Sequence, residues 1–369
     1  MTDATRLQQL RARARGLKPD RSLLASDLVA ALTFAVVNVP QAMGHALLAT
    51  VNPVLGIFTL MVAVPVGAIF NSSVFMNVSS TAALSVAAGV VLLEFPADRK
   101  VEALVVLVLL VGVIQLLAGL FKLGFLVRFV SNAVMIGFLN GVAVLIILGQ
   151  LGDLTGYDSQ FSNRVAQSLD LLLRFDQVHL PTTIIGGLTL GGIVLLLRTP
   201  LRKFAFIIAI AAATLLLAIL TLPALSTAAA FGTVKTVGDI ATIAGSLPQL
   251  VLPQPSLILT MVLPAFSLAM IGLIQGAGVS QGTPNPDGKY PDVSRDFLGQ
   301  GIANIATSFV GGVPAGGSIS GTMLLMSAGA RSRWANITAG LFVAVIVLLA
   351  APLVEMVPMP ALDAKLILA

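Results

Sequence analysis

No cysteine occurs in the 369 residues, so a disulfide framework and thiolate metal sites are excluded. Two histidines leave little material for a metal cage or a hydrolytic triad, so neither a metal nor a cofactor is expected. Charge is scarce too: 10% of residues are Asp, Glu, Lys or Arg, against 57% apolar. Mean hydropathy is +1.00, the value of a polytopic membrane protein and not of a soluble core. The chain is too long for one soluble core but suits a bundle of about a dozen spans. A pI near 9.9 would fit a nucleic-acid partner, but the basic residues are scattered through loops. A lipid bilayer accounts for them, and no nucleic acid is expected.

Hydropathy places spans at about 27–48, 54–70, 80–94, 101–121 and 127–150. A surface helix is predicted at Arg164–Phe175, then spans at about 181–197, 204–222 and 256–277. The hydrophilic stretch Gln281–Arg295 precedes spans at about 297–310, 318–329 and 334–354, and a twelfth begins after Pro360. The first 25 residues carry Arg6, Arg11, Arg13, Arg15, Lys18 and Arg21. The span behind them is longer than a signal-peptide core, so they read as a cytoplasmic tail. With that end inside, inner loops collect fifteen Lys and Arg and outer loops five, with Lys365 left over. A bacterial inner membrane is the expected location. The same count makes spans 3 and 10 run in opposite directions, as in an inverted repeat.

Two polar stretches interrupt the apolar pattern, Asn77-Val78-Ser79-Ser80-Thr81-Ala82 and Gly316-Gly317-Ser318-Ile319-Ser320-Gly321-Thr322. Each precedes only about three to four turns of apolar helix, too short to cross roughly 30 Å of hydrocarbon. Irregular polar backbone survives at that depth only against protein or a watery cavity. A matched pair of such segments, one in each half, points to the substrate site of a carrier. A helix N-terminus acts as about half a positive charge with unpaired N–H groups, so two facing ends form an anion cradle without a buried cation. Ser79, Ser80 and Thr81 would cap one end, and Ser318, Ser320 and Thr322 the other. Gly316 and Gly317 permit close backbone approach. Tight helix packing by small residues is the competing explanation. Ser79–Ala87 aligns with Ser320–Ala328 at four identical positions, a weak internal repeat. Gln41, next to Pro40, would face substrate or satisfy a broken helix. His45 would be a coupling group or an interhelical bond. Asn140 reads as packing glue, and Glu94, Glu102, Glu355 and Asp363 as solvated.

The motifs along the chain resemble those of the sulfate permease (SulP) family of anion transporters. The run Pro40-Gln41-Ala42-Met43-Gly44-His45-Ala46-Leu47-Leu48-Ala49 is similar to the family's P-Q-x-x-A-Y-A-x-L-A. Val78-Ser79-Ser80-Thr81-Ala82-Ala83-Leu84-Ser85 stands where the family reads V-G-P-x-A-A-L-S. Leu123–Ser131, then Gly137-Phe138-Leu139-Asn140-Gly141, follow its L-G-x-L-x-x-F-I-S and G-F-x-x-G. Pro314–Thr322 and Gly329-Ala330-Arg331-Ser332 follow P-x-x-G-S-x-S-R-[ST] and G-A-R-[TS]. The resemblance implies an all-α polytopic fold of two inverted sets of seven segments, with half-helices at segments 3 and 10 preceded by extended lead-ins. It implies a tail at 1–25, a core domain at 26–122 and 255–355, and a gate domain at 123–225. Residues 356–369 would start gate segment 12, with later gate segments and a STAS domain outside this chain.

The expected function is secondary active transport of a small anion (an inorganic oxyanion, bicarbonate or a short dicarboxylate) by alternating access with elevator-like core motion, and not catalysis. The expected anion contacts are Gln41, Ser79, Ser80, Thr81, Gly317, Ser318, Ile319, Ser320, Gly321 and Thr322. Coupling candidates are His45 and Gln275, and a homodimer is implied. Two departures from the pattern stand out. Gly321 replaces a common arginine, removing a fixed positive charge, and Gln275 stands where relatives often carry a carboxylate. An anion channel on the same scaffold is one alternative. A nucleobase–ascorbate carrier is another, but its usual acidic residues in spans 8 and 10 are missing here.

Overall fold

The computed structural model describes residues 19–125, 132–161, 164–225, 227–240 and 247–368. Most of the basic tail and the stretch 126–131, with Arg128, lie outside them. Caps chosen by the local sequence set the first helices. Asp20 accepts from the backbone of Ser22 and starts α1 (Arg21–Leu48). Asn52 accepts from Val54 N, with Pro53 in the first turn of α2 (Pro53–Phe70). An extended segment, β1 (Asn77–Ser80), leads into the short α3 (Ala82–Leu92), and α4 (Lys100–Leu120) follows. Next come α5 (Asn132–Thr155), the surface helix α6 (Arg164–Leu173), α7 (Leu180–Leu197) and α8 (Ala205–Leu220).

The pattern of the first four helices then recurs. α9 (Ile258–Gly282) and α10 (Val293–Ser308) precede β2 (Ala315–Ser318), the short α11 (Ile319–Ser327) and α12 (Trp334–Glu355). The final described helix is α13 (Met359–Leu368). Six helices among the described residues are long and apolar enough to cross a membrane. α3 and α11, with 11 and 9 residues, are not. The surface helix predicted near 164–175 forms, and its Asp170 accepts from Tyr157 and Ser159 and pairs with Arg174 at 3.2 Å.

α1–α4 and α9–α12 pack on one another, the most extensive contact being α4 against α10. A Cβ at Gly112 would lie 2.7 Å from Ile305 N, and one at Gly301 2.4 Å from Leu116 N, so this crossing is backbone on backbone. α13 packs mainly on α5 and α7, and α7 on α8. Links between the two groups are fewer, through α13, α8 and α5 to α1 and α3. Asn140 is exposed on α5. Asp363, expected to be solvated, is 1% exposed, because α13 buries that face against its neighbours. Glu94 is exposed as expected.

Candidate functional site

The two polar stretches meet as a two-stranded antiparallel ribbon, with Asn77 opposite Ser318 and Ser80 opposite Ala315. Each strand passes directly into its short helix, so α3 and α11 leave opposite ends of the ribbon. The register puts their caps three to four residue steps apart, about 10–13 Å at roughly 3.3 Å per residue. Every residue of both strands is buried.

Thr81 caps α3. Its hydroxyl accepts from Leu84 N at 3.4 Å and donates to Gln275 Oε1 at 3.0 Å. Because that hydroxyl proton goes to Gln275, the amide oxygen faces Thr81 and its NH₂ donors turn elsewhere. Gln275 therefore supports the α3 end. Ser80 Oγ bonds His45 Nδ1 at 3.0 Å, which joins α1 to the ribbon. Gln41 lies one turn before His45 on the same helix face. Its Oε1 accepts from Lys365 Nζ at 3.3 Å, and Val37 O accepts from the same ammonium at 2.8 Å. Pro40 opens α1 at this turn, having no N–H to give the helix.

Ser318 caps α11 by accepting from Gly321 N at 3.0 Å. Ile319 and Ser320 occupy its first turn and are exposed, and helix geometry leaves their two backbone N–H groups without partners inside the helix. Ser320 Oγ touches Ser318 Oγ at 3.4 Å. Thr322 plays another part: it donates to Ser318 O and accepts from Asn77 N at 3.0 Å, tying helix to strand. Gly317 lies against α9, where a Cβ would come within 2.6 Å of Gly276 Cα. A Cβ on Gly321 would meet Asn77 Oδ1 at 2.7 Å, so Asn77 fills the space a larger residue there needs. The structure thus gathers Ser79, Ser80, Thr81, Gly317, Ser318, Ile319, Ser320, Gly321, Thr322 and Gln275 around one ribbon. Gln41 and His45 stand beside it on α1.

Two sequence expectations change. The repeat aligned Thr81 with Thr322, whereas the caps that correspond are Thr81 and Ser318. Small polar residues at fourfold spacing make a slip of one turn easy. The ribbon's polar surroundings were also missed. Asn304 clasps Ala315 through both backbone groups, at 2.8 and 2.7 Å, and reaches Gln115 Oε1 at 2.7 Å. Gln300 Oε1 accepts from Gly317 N at 3.1 Å, and Asn336 Oδ1 from Asn77 Nδ2 at 2.8 Å. These amides stand in for the neighbouring strands the ribbon does not have. Gln300 and Asn304 lie four apart, a signal readable as one helix face.

Residues 24–369 match the family model described as Sulfate permease family. A Mycobacterium tuberculosis protein named "Probable sulfate transporter MT1781" is 28% identical over 95% of this chain and 61% of its own length. The chain thus spans about three fifths of that curated relative. Among solved structures, the transmembrane domain of a cyanobacterium bicarbonate transporter, BicA, superposes with TM-score 0.80 at 23% identity. It covers 95% of this chain and 89% of that one. The murine Solute Carrier 26 member A9 anion transporter, in its inward-facing state, gives TM-score 0.83 at 20% identity, covering 95% and 60%.

Proposed function

The chain belongs to the sulfate permease family, and from that premise we propose that it is the membrane part of a secondary carrier for small anions. The observation that carries this reading is the ribbon with a helix N-terminus at each end. Each end contributes about half a positive charge and unpaired N–H donors. Ala82, Ala83, Ile319 and Ser320 supply first-turn amides, and Ser318, Ser320 and the Gln275 NH₂ supply side-chain donors. An anion between the ends satisfies groups that hydrocarbon would leave unpaired. Sulfate and bicarbonate, the anions in those relatives' names, both fit such neutral donors, as does a short dicarboxylate. Ser80 and His45 form a hydroxyl–imidazole pair, but both are buried in the packing that fastens the ribbon, and it is membership of a permease family that makes the role transport and not catalysis.

α1–α4 and α9–α12 form the moving core in this reading, and α5, α7, α8 and α13 belong to the gate. The core carries the ribbon past the gate in alternating access. Loop charge puts the N-terminus in the cytoplasm. The full-length protein works as a homodimer. Gln275 does not ionise, so of the two coupling candidates only His45 can carry a proton.

The test is uptake of labelled sulfate, bicarbonate, chloride and succinate by full-length protein in liposomes, with and without pH and Na⁺ gradients. Saturable accumulation or exchange is expected for at least one anion. Absence of uptake under every gradient overturns the carrier, and an unsaturable ohmic current identifies a channel instead.

A further inference from the structure

Lys365 is 1% exposed, in the middle of α13. Among the described residues no carboxylate lies within ion-pair distance of it. Its ammonium donates to Val37 O at 2.8 Å and Gln41 Oε1 at 3.3 Å, and lies 5.6 Å from the centre of the Phe206 ring. Asp363 is two positions away on the same helix, a spacing that does not bring side chains together. A buried cation surrounded only by neutral acceptors is expensive, and membrane proteins keep such groups where they meet a substrate or ion.

Its location supplies that substrate. Gln41 and His45 share one face of α1, and His45 holds Ser80 at the foot of α3. The ammonium therefore stands two side chains from one end of the anion cradle. At the α11 end Gly321 brings no charge to that cradle, and Asn77 fills the neighbouring space.

We propose that Lys365 is the fixed positive charge of the anion site, supplied across the seam by α13 and not by the helix that carries the ribbon. Two of its three N–H donors hold α1 at the Pro40 opening, and the third is left for an anion. Because the charge and the helix ends sit on different packing groups, the anion meets the full charge only when the two groups are in register. The lysine then sets selectivity for divalent over monovalent anions. This inference rests on the carrier reading.

The experiment compares wild type, Lys365→Gln, Lys365→Met and Lys365→Arg in full-length protein, with Lys100→Gln as the control. It reads half-saturating concentrations for sulfate and chloride in liposomes, and the melting temperature in detergent with and without each anion. Both neutral variants are expected to raise half-saturation for sulfate at least about tenfold and for chloride about threefold or less. Lys365→Arg should stay close to wild type, and the sulfate-induced rise in melting temperature should vanish in the neutral variants. The Met variant keeps the length and removes the buried charge, so it guards against a folding defect in the Gln variant. Equal sulfate and chloride affinities in wild type and both neutral variants overturn the role of Lys365 alone. A wild type that responds to neither anion here and to none of sulfate, bicarbonate, chloride and succinate in the uptake panel overturns the carrier reading together with it.

Discussion

β1–α3 and β2–α11 share one architecture and are held in opposite ways. The first is Asn-Val-Ser-Ser and is fastened by side chains: Asn77 to Asn336, Ser80 to His45, Thr81 to Gln275. The second is Ala-Gly-Gly-Ser and is fastened by its backbone, wedged against Gly276 and clasped by Asn304 and Gln300. Side-chain bonds tolerate small adjustments, and backbone packing does not. The α3 end therefore rests on its own side chains and the α11 end on its backbone.

The contrast breaks most easily at Gly317. A valine there drives a Cβ to 2.6 Å from Gly276 Cα and 3.2 Å from Gly276 N, backbone atoms that cannot swing aside. The expected loss is at the top of the usual overpacking range of about 1–3 kcal/mol or beyond, seen as loss of the monodisperse peak in size exclusion. A Gly317→Val protein that melts like wild type would remove the wedge from the account. Next comes Asn304→Leu, which strands the Ala315 N–H and C=O at a cost of about 1–3 kcal/mol each. Thermal unfolding in mild detergent measures it. Removing the caps should cost about 0.5–2 kcal/mol. Thr81→Val should exceed Ser318→Ala, because Thr81 also loses Gln275. The reverse order would mean that the two ends are held alike. Smallest is Ser320→Ala. An exposed hydroxyl with one weak neighbour should change stability by less than about 0.5 kcal/mol, while anion uptake weakens a few-fold. Unchanged uptake would take that hydroxyl out of the cradle.

The spans and both half-helices could be read from sequence because apolar length and small polar interruptions are local properties. Thr81 and Ser318 stood among six cap candidates for the same reason, and Ser79, Ser80, Ser320 and Thr322, equally plausible in sequence, do not cap. What holds the ribbon was not visible, because it depends on pairing across the chain. Asn304 meets Ala315, and Thr322 turns inward to Asn77, only once the strands lie side by side. A nearer clue was passed over. Asp296, Gln300, Asn304 and Ser308 recur every fourth residue of α10 and are all fully buried, a polar stripe no lipid-facing helix would carry. Lys365 was set aside as a remainder of charge counting, since nothing local to α13 reveals that Val37 and Gln41 wait 328 and 324 positions away.

The position of that lysine also bears on how the protein is made. α13 carries Asp363 and Lys365, each of which costs about 2.5–3.5 kcal/mol at the centre of an inserting helix. Those two charges weigh against insertion of the segment without a partner. The acceptors that rescue it belong to α1, the first helix made, so insertion of α13 should wait for α1 to be in place. A glycosylation-reporter assay should find α13 integrated in the whole chain and excluded when tested in isolation, with Gln41→Leu shifting the balance toward exclusion.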